Sequence, residues 1–264
     1  MVGPLYRQIA EDLRRQIDTG LLAANDKLPT EDELMTQHHA SRNTVRAAIK
    51  DLTTRGIVQT RHGIGTFVAE QLKPIVTTLT SDPKTGSGGG EGWVYTAEVK
   101  ESNRVAESRG LTVEIQLARP EVAASLHLSG DIQVISRHER RYVDDKPWSL
   151  QTSFYPKHLA EVAPRLLDAS SIKDGTVAYL RERGIQQAGY RDSIGWRTPE
   201  HDETSFFGLP VDGHIQVVEI FRVAFDQKQR RVRLTITVYR ADSNRFMINV
   251  GDVPLSENLQ VDDD

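Results

Sequence analysis

The residues best suited to chemistry lie in the run Ser41-Arg-Asn-Thr-Val-Arg46. An arginine can donate two bonds to the edge of guanine, and an asparagine can pair with adenine. The hydroxyls of Ser41 and Thr44 can donate to backbone phosphates. Val45, Ala48, Ile49 and Leu52 recur at the spacing of one helical face, which predicts an apolar stripe packed on the chain's own core. Asn43, Ala47 and Lys50 fall opposite, flanked by Arg42 and Arg46, and Ala47 is small enough to permit close approach. A helix so divided is anchored on one side and can enter a major groove with the other. A solvated surface helix carries a similar division, so this spacing alone leaves both readings open.

The elements around the run narrow the choice. Leu5, Ile9, Leu13 and Ile17 recur every fourth residue behind Pro4, with Gly20 just past the end, and predict one amphipathic helix. Thr30-Glu-Asp-Glu33 has the form of a capping box and starts a short second helix to about Gln37. Ser41 caps a third helix to about Thr54, which Gly56 stops. Residues 57–61 and 66–68 then flank His62-Gly-Ile-Gly65 as a hairpin. At its tip Arg61 and His62 can reach phosphate or the minor groove, while Gly63 and Gly65 let backbone come close. Those glycines are equally explained by turn chemistry. Three helices and a hairpin in this order make a winged helix-turn-helix. Between His38 and Val68 stand Arg42, Arg46, Lys50, Arg55 and Arg61 against the one acid Asp51, although the whole chain carries a net charge of −4. A local basic face of that kind suits double-stranded DNA better than a uniform nucleic-acid coat.

Composition excludes several classes. The 264 residues are 38% hydrophobic and 27% charged, ordinary for a globular protein. No apolar run approaches the ~20 residues that span a bilayer, and the N-terminus lacks a signal-peptide pattern. The sequence has no cysteine, so it builds no disulfide framework and no thiolate metal site. The cytoplasm is the default expectation, without a membrane partner. No cofactor or metal is expected: His38-His39 sits in the turn before the third helix, and neither a His-Glu-x-x-His nor a phosphate-cradling or nucleophile-turn motif occurs.

The clearest internal boundary is Asp82-Pro-Lys-Thr-Gly-Ser-Gly-Gly-Gly-Glu-Gly92, whose residues lack the side chains to build a core. The expected organisation is a DNA-binding domain over 1–70, a linker over 71–92, a larger domain over 93–255 and an acidic tail over 256–264 ending in Asp262-Asp-Asp264. In the larger domain, strand patterns are read at 93–99, 132–142, 149–154, 185–196, 215–225 and 232–239. Helical stretches are read at 120–128, 157–167, 176–183 and 199–207. Asp144-Asp-Lys146 and Asp226-Gln-Lys-Gln229 read as hairpin turns, and Trp148 and Trp196 as core residues. The fold class is α+β, with an antiparallel sheet.

The combination Leu28-Pro-Thr-Glu-Asp-Glu-Leu34, Ser41-Arg-Asn-Thr-Val-Arg46, Leu52 with Arg55-Gly56, and His62-Gly-Ile-Gly-Thr-Phe-Val68 closely resembles the GntR family of bacterial regulators. Pro4-Leu-Tyr-Arg-Gln-Ile9 fits that family's opening. By this resemblance Arg42, Asn43 and Arg46 contact bases or phosphates, and His62, Gly63 and Gly65 sit at the wing. Many members carry arginine after the glutamate of the second helix; Asp32 stands here instead and leaves the target sequence open.

Beyond the linker, Arg140-Arg-Tyr-Val-Asp-Asp-Lys-Pro-Trp148, Ser153-Phe-Tyr-Pro156 and Tyr239-Arg-Ala-Asp242 with Arg245-Phe246 resemble the UTRA effector-binding domain of the HutC branch. That resemblance implies a chorismate lyase-like antiparallel sheet which binds a small-molecule effector and forms a homodimer. It places Arg141, Ser153 and Tyr239 at the effector, while Glu139, Gln151 and Arg233 carry charges unlike those of amino-sugar binders. Arg141 and Arg233 are candidates to clamp a carboxylate or phosphate. Cross-strand ion pairing among Arg137, Glu139, Arg141 and Arg233 is the competing reading. The expected function is regulation of transcription, as a repressor released from a near-palindromic operator by its effector. The alternatives are a lyase-like enzyme fused to a DNA-binding module and a DNA-binding dimer without effector response.

Overall fold

The computed structural model describes residues 3–61, 63–69, 75–80, 99, 104–129, 132–172, 175–209 and 215–250. They fall into two units, one holding residues 3–69 and the other residues 75–209 and 216–250. His62, the glycine-rich run at 82–92, all but Val99 of the strand expected at 93–99, and the acidic tail lie outside the described residues.

In the first unit, α1 (Leu5–Asp18), α2 (Glu31–His38) and α3 (Arg42–Thr54) precede the hairpin β1 (Val58–Arg61) and β2 (Gly65–Val68). The caps are those the sequence specifies. The Thr30 hydroxyl accepts from Glu33 N at 3.3 Å, and Thr30 N donates back to Glu33 Oε2 at 2.7 Å. The bond from Thr30 N, with a second from the Thr30 hydroxyl to the same oxygen at 2.8 Å, holds the Glu33 carboxyl below its ordinary range. Ser41 Oγ caps α3 by accepting from Thr44 N at 3.3 Å, and Gly56 takes the positive φ of 69° that follows the helix. Ile9, Leu13, Leu34, Val45, Ala48 and Leu52 are all fully buried in one cluster. Each large aliphatic side chain so buried contributes about 1.5–3 kcal/mol, and this cluster fixes α3 against α1.

The second unit opens with β3 (Ile75–Thr78), which pairs in parallel with β10 (Asn244–Met247). The expected linker therefore needs correcting at its start. Ile-Val-Thr-Thr-Leu is a β-branched run; Thr77 and Leu79 are buried, and Leu79 joins a core cluster. The main sheet has the order β4-β5-β6-β9-β8-β7 and is antiparallel throughout. Its strands are β4 (Ala106–Leu117), β5 (Gln133–Val143), β6 (Lys146–Pro156), β7 (Gln187–Arg197), β8 (Val217–Asp226) and β9 (Arg231–Arg240). Short helices accompany them, among them α4 (Pro120–Leu126), α5 (Gly175–Glu182) and α6 (His201–Phe207).

Both expected turns form. Asp144 and Asp145 take positive φ angles of 50° and 63° in a two-residue hairpin. Asp226 accepts from Lys228 N and Arg230 N at 2.9 and 2.8 Å across the other. One strand is unforeseen and two expectations fail. The strand β4 carries no clean alternation, because as a sheet edge it is mostly exposed, and the sequence reading passes over it. The helix expected at 157–167 is two 3-10 turns, Lys157–Glu161 and Pro164–Leu167, divided where Pro164 lacks an N–H to donate. Trp196 is not a core residue: it sits on the edge strand β7 and is 63% exposed, whereas Trp148 is buried.

On one face of the sheet, α4 covers Val134, Phe154, Leu234 and Ile236. On the other, the 3-10 turns and α5 close one end over Ile135, Tyr155 and Ala224, and Leu79 and Val99 close the other end over Val143, Val218 and Tyr239. Between these two apolar ends lies a band of buried polar side chains.

Candidate nucleic-acid interface and effector site

The helix α3 divides as its sequence demands. Val45, Ala48 and Leu52 are fully buried, and Arg42, Asn43, Arg46, Ala47 and Lys50 are exposed. Ser41 and Thr44 share a hydrogen bond between hydroxyls at 2.8 Å at the start of the helix. The arginines rest on α2: Arg42 Nη2 donates to Asp32 Oδ1 at 2.7 Å, and Arg46 Nε to the two Glu31 oxygens at 2.9 and 3.0 Å. The hydrogen bond to Glu31 raises the pKa of Arg46 further. Asp32 thus engages Arg42 of α3. All four side chains face solvent, where such pairs are worth ~0–1 kcal/mol and exchange partners readily.

In the wing, Thr60 and Thr66 lie opposite each other, as do Arg61 and Gly65. The Arg61 guanidinium sits 4.6 Å from the Phe67 ring centroid. Gly63 and Gly65 have φ of 73° and 140°, which L side chains rarely adopt, so both are demanded by the turn. Of the expected DNA-contacting residues, Ser41, Arg42, Asn43, Thr44 and Arg46 gather at the start of α3, and Arg61, Gly63 and Gly65 at the hairpin tip.

The buried band of the second unit is ordered by strand register. Arg141, Ser149 and Tyr239 lie in one row across β5, β6 and β9. Glu139, Gln151 and Thr237 form the next, and Arg137, Ser153, Thr235 and Arg222 the third. Arg233 lies one row further, beside Ala224. Arg141 and Arg233 are therefore two strands and six residues apart, roughly 20 Å along the strand direction at about 3.3 Å per residue. A single carboxylate cannot bridge them, and the two-arginine clamp is corrected on that ground.

Each arginine instead has its own setting. Arg141 donates through Nε and Nη2 to Glu139 Oε1 at 3.2 and 2.9 Å, and Gln151 Nε2 reaches the same oxygen at 3.4 Å. Burial would push the Glu139 carboxyl up, but Arg141, with Ser108 and Arg137, holds it below the usual range. This is pairing along one strand, not the cross-strand pairing of the competing reading. Arg137 donates to the carbonyls of Leu166, Asp168 and Ser170 at 2.9, 2.7 and 2.9 Å, a structural task that ties down the second 3-10 turn. Ser153 and Thr235 share a bond at 3.1 Å, and Arg233 donates to Gln187 Oε1 at 3.0 Å. Tyr239 packs edge-on against Trp148 and Phe246 at 5.2 and 5.0 Å.

Sequence reasoning missed one buried group. Arg222 donates to Asp192 at 2.7 and 2.5 Å and to the Leu79 carbonyl at 3.2 Å, with its guanidinium 3.8 Å from the Tyr190 ring centroid. The signal was present: Arg222 falls between Ile220 and Ala224 on the inward positions of an alternating strand. A cation there requires a partner.

The comparisons with known proteins agree with this geometry. Residues 5–68 match the model of the gntR family of bacterial regulatory proteins, and residues 101–245 match the UTRA domain. The HTH-type transcriptional regulator GgaR of Escherichia coli (strain K12) is 26% identical over 244 residues, covering 92% of this chain and 90% of that one. The HTH-type transcriptional repressor NagR of Bacillus subtilis (strain 168) is 25% identical over 245 residues, covering 92% and 93%. The crystal structure of PhnF from Mycobacterium smegmatis superposes with a TM-score of 0.56 at 22% identity, over 92% of this chain and 99% of that one, and supports the fold. With a gntR-type reading head and a UTRA domain that spans more than half its length, the chain belongs to the GntR family of bacterial transcriptional regulators.

Proposed function

We propose that the chain is a homodimeric, cytoplasmic repressor, without enzymatic activity of its own, that leaves a near-palindromic operator when a small effector binds its UTRA domain. In this reading residues 1–70 are the DNA-binding domain, the run at 82–92 links it to the effector domain, and the UTRA sheet also carries the dimer contact. The observation that supports it best is the division of α3 into a fully buried apolar stripe and an exposed stripe bearing Arg42, Asn43 and Arg46. Two such helices, related by a two-fold axis, address half-sites separated by whole helical turns. The repressor NagR, similar to this chain over nearly its full length, favours repression over activation.

The effector contacts proposed are Arg141, Ser153, Arg233 and Tyr239, with Arg141 meeting an anionic group. The register separates Arg141 and Tyr239 from Ser153 and Arg233, so the two pairs address different ends of a ligand or different ligands. The effector shifts DNA affinity only by binding one conformation better than the other. No described helix is long and apolar enough to cross a membrane.

Selection of bound fragments from genomic and random duplexes tests the reading: one palindromic sequence should be enriched and should outcompete random DNA. A thermal-shift screen of metabolites on the full chain then identifies the effector, because a true ligand stabilises the folded state by mass action. Arg141→Ala should keep operator binding and lose effector-triggered release. An unchanged response at the same effector concentration would remove Arg141 from the site, and turnover of chorismate by the purified chain would overturn the non-enzymatic assignment.

A further inference from the structure

Among the described residues, one buried hydroxyl has no hydrogen-bond partner. Ser149 is 0% exposed on β6, and its Oγ bonds to nothing. The register places it between Arg141 of β5 and Tyr239 of β9, both themselves buried. The hydroxyls of the following rows are engaged: Ser153 shares a bond with Thr235 at 3.1 Å, and Thr237 donates to Gln151 Oε1 at 3.5 Å. A buried hydroxyl left unpaired costs free energy that an alanine of nearly the same size would not. Ser149 does not recover that cost by holding the fold together. An acceptor delivered from outside the chain recovers it.

The charges around Ser149 limit what that acceptor is. Arg141 brings a cation to the same row, and Glu139 stands in the next row, its Oε1 accepting from Arg141 Nη2 at 2.9 Å. The Glu139 carboxyl is held below the usual range, so it is ionised at neutral pH. On the other side Tyr239 belongs to an apolar cluster with Leu79, Val99, Trp148 and Val218. The desolvation cost of an ion rises with the square of its charge, and a second negative charge beside Glu139 adds repulsion. A phosphate ester carries up to two charges and asks for donors to three oxygens. A carboxylate carries one charge and is satisfied by an arginine and a hydroxyl side by side.

We infer that Ser149 is an effector-binding residue which, together with Arg141, receives a carboxylate in preference to a phosphate. The inference rests on the reading of the UTRA sheet as the effector site, and it adds to that site a residue and a chemical class. Ser149 Oγ donates to one carboxylate oxygen and Arg141 to the other. Neighbouring strands lie about 4.8 Å apart, so the two donors flank one planar group. Ser149 is sealed in this structure, so the carboxylate binds a conformation in which the row has opened. That preference is the differential affinity through which an effector acts.

The test is thermal melting of the full chain with acetate, propionate and butyrate, against inorganic phosphate and chloride at matched ionic strength. The variants are Ser149→Ala and, as a hydroxyl that has a partner, Ser153→Ala. Without added anion Ser149→Ala should melt at or above the wild-type temperature, because it deletes an unpaired group. Ser153→Ala, which strands the Thr235 hydroxyl, should melt lower. At least one monocarboxylate should raise the wild-type midpoint above its value in chloride, and phosphate should raise it less. Ser149→Ala should need about tenfold more of that carboxylate for the same shift, the loss of one hydrogen bond to a charged group. A midpoint for Ser149→Ala as low as that of Ser153→Ala would make the hydroxyl structural and overturn the inference. So would superimposable carboxylate titrations of variant and wild type, a larger shift with phosphate, or no shift with any carboxylate. A metabolite that releases the operator equally well from wild type and Ser149→Ala would sink the inference and keep the effector reading. Carboxylate shifts that depend on Ser149, with no release of operator by any metabolite, would instead remove the effector reading.

Discussion

The arginines of the reading head and those of the sheet are held in opposite ways. Side chains of Arg42 and Arg46 are 54% and 61% exposed and lean on Asp32 and Glu31 across solvent. Side chains of Arg222 and Arg141 are 4% and 2% exposed, locked against Asp192 and Glu139. An exposed pair in high dielectric costs little to open, so its arginine is available to a phosphate or a base. A buried pair has already lost its water, and removing one partner strands the other charge. The same residue type therefore serves exchange in one unit and fixation in the other.

The largest expected effect breaks the fixed side of this contrast. Arg222→Ala leaves Asp192 without its cation and the Leu79 carbonyl without one donor, and should destabilise the second unit by about 3–5 kcal/mol. All three tryptophans, Trp93, Trp148 and Trp196, lie beyond residue 92, so tryptophan fluorescence in a urea titration reports on the C-terminal part alone. A midpoint equal to wild type would show that the buried pair holds nothing together.

Next in size is the exchangeable side. Arg42→Ala should weaken operator binding by about 1–3 kcal/mol while changing stability by less than about 0.5 kcal/mol. Anisotropy with the selected operator measures the first, and a thermal melt the second. Equal losses in both would mean that Arg42 is structural, and the contrast would fail.

Asp32→Asn sharpens the comparison with a smaller effect. Its bond to Arg42 lies between side chains 77% and 54% exposed, so stability should fall by no more than about 1 kcal/mol. Operator affinity should rise a few-fold, because a negative charge beside the phosphates is gone. A weaker complex would show instead that Asp32 positions Arg42 for reading.

The smallest effect is in acid. Glu139 is held below its ordinary pKa in the folded chain, so its contribution is present above the unfolded carboxylate pKa and is lost as pH falls through the depressed folded value. Glu139→Gln should flatten that acid limb in the second unit, read by tryptophan fluorescence across a pH series. An identical limb in the variant would assign it to other carboxylates.

The first unit was readable almost throughout, since its signals are local. A capping box spans four residues, the α3 stripe repeats within two turns, and the wing turn is written in Gly63 and Gly65. The pairing of the segment at 25–28 with β2 was not readable, because nearly forty positions separate strands that meet only in the folded head. In the second unit the hairpins at Asp144-Asp145 and Asp226–Gln229 were legible for the same local reason.

Sequence alone determined the reading-head architecture, the amphipathic division of α3 and the α+β class of the second unit. Only the tertiary structure decided that Ile75–Thr78 pairs with Asn244–Met247, that Arg141 and Arg233 are too far apart for one anion, and that Arg222 belongs to the buried band. The physical reason is range. Helical periodicity and turns are set by residues a few positions apart, whereas β6 finds β9 across about eighty residues, and that pairing and its register fix which side chains share a row.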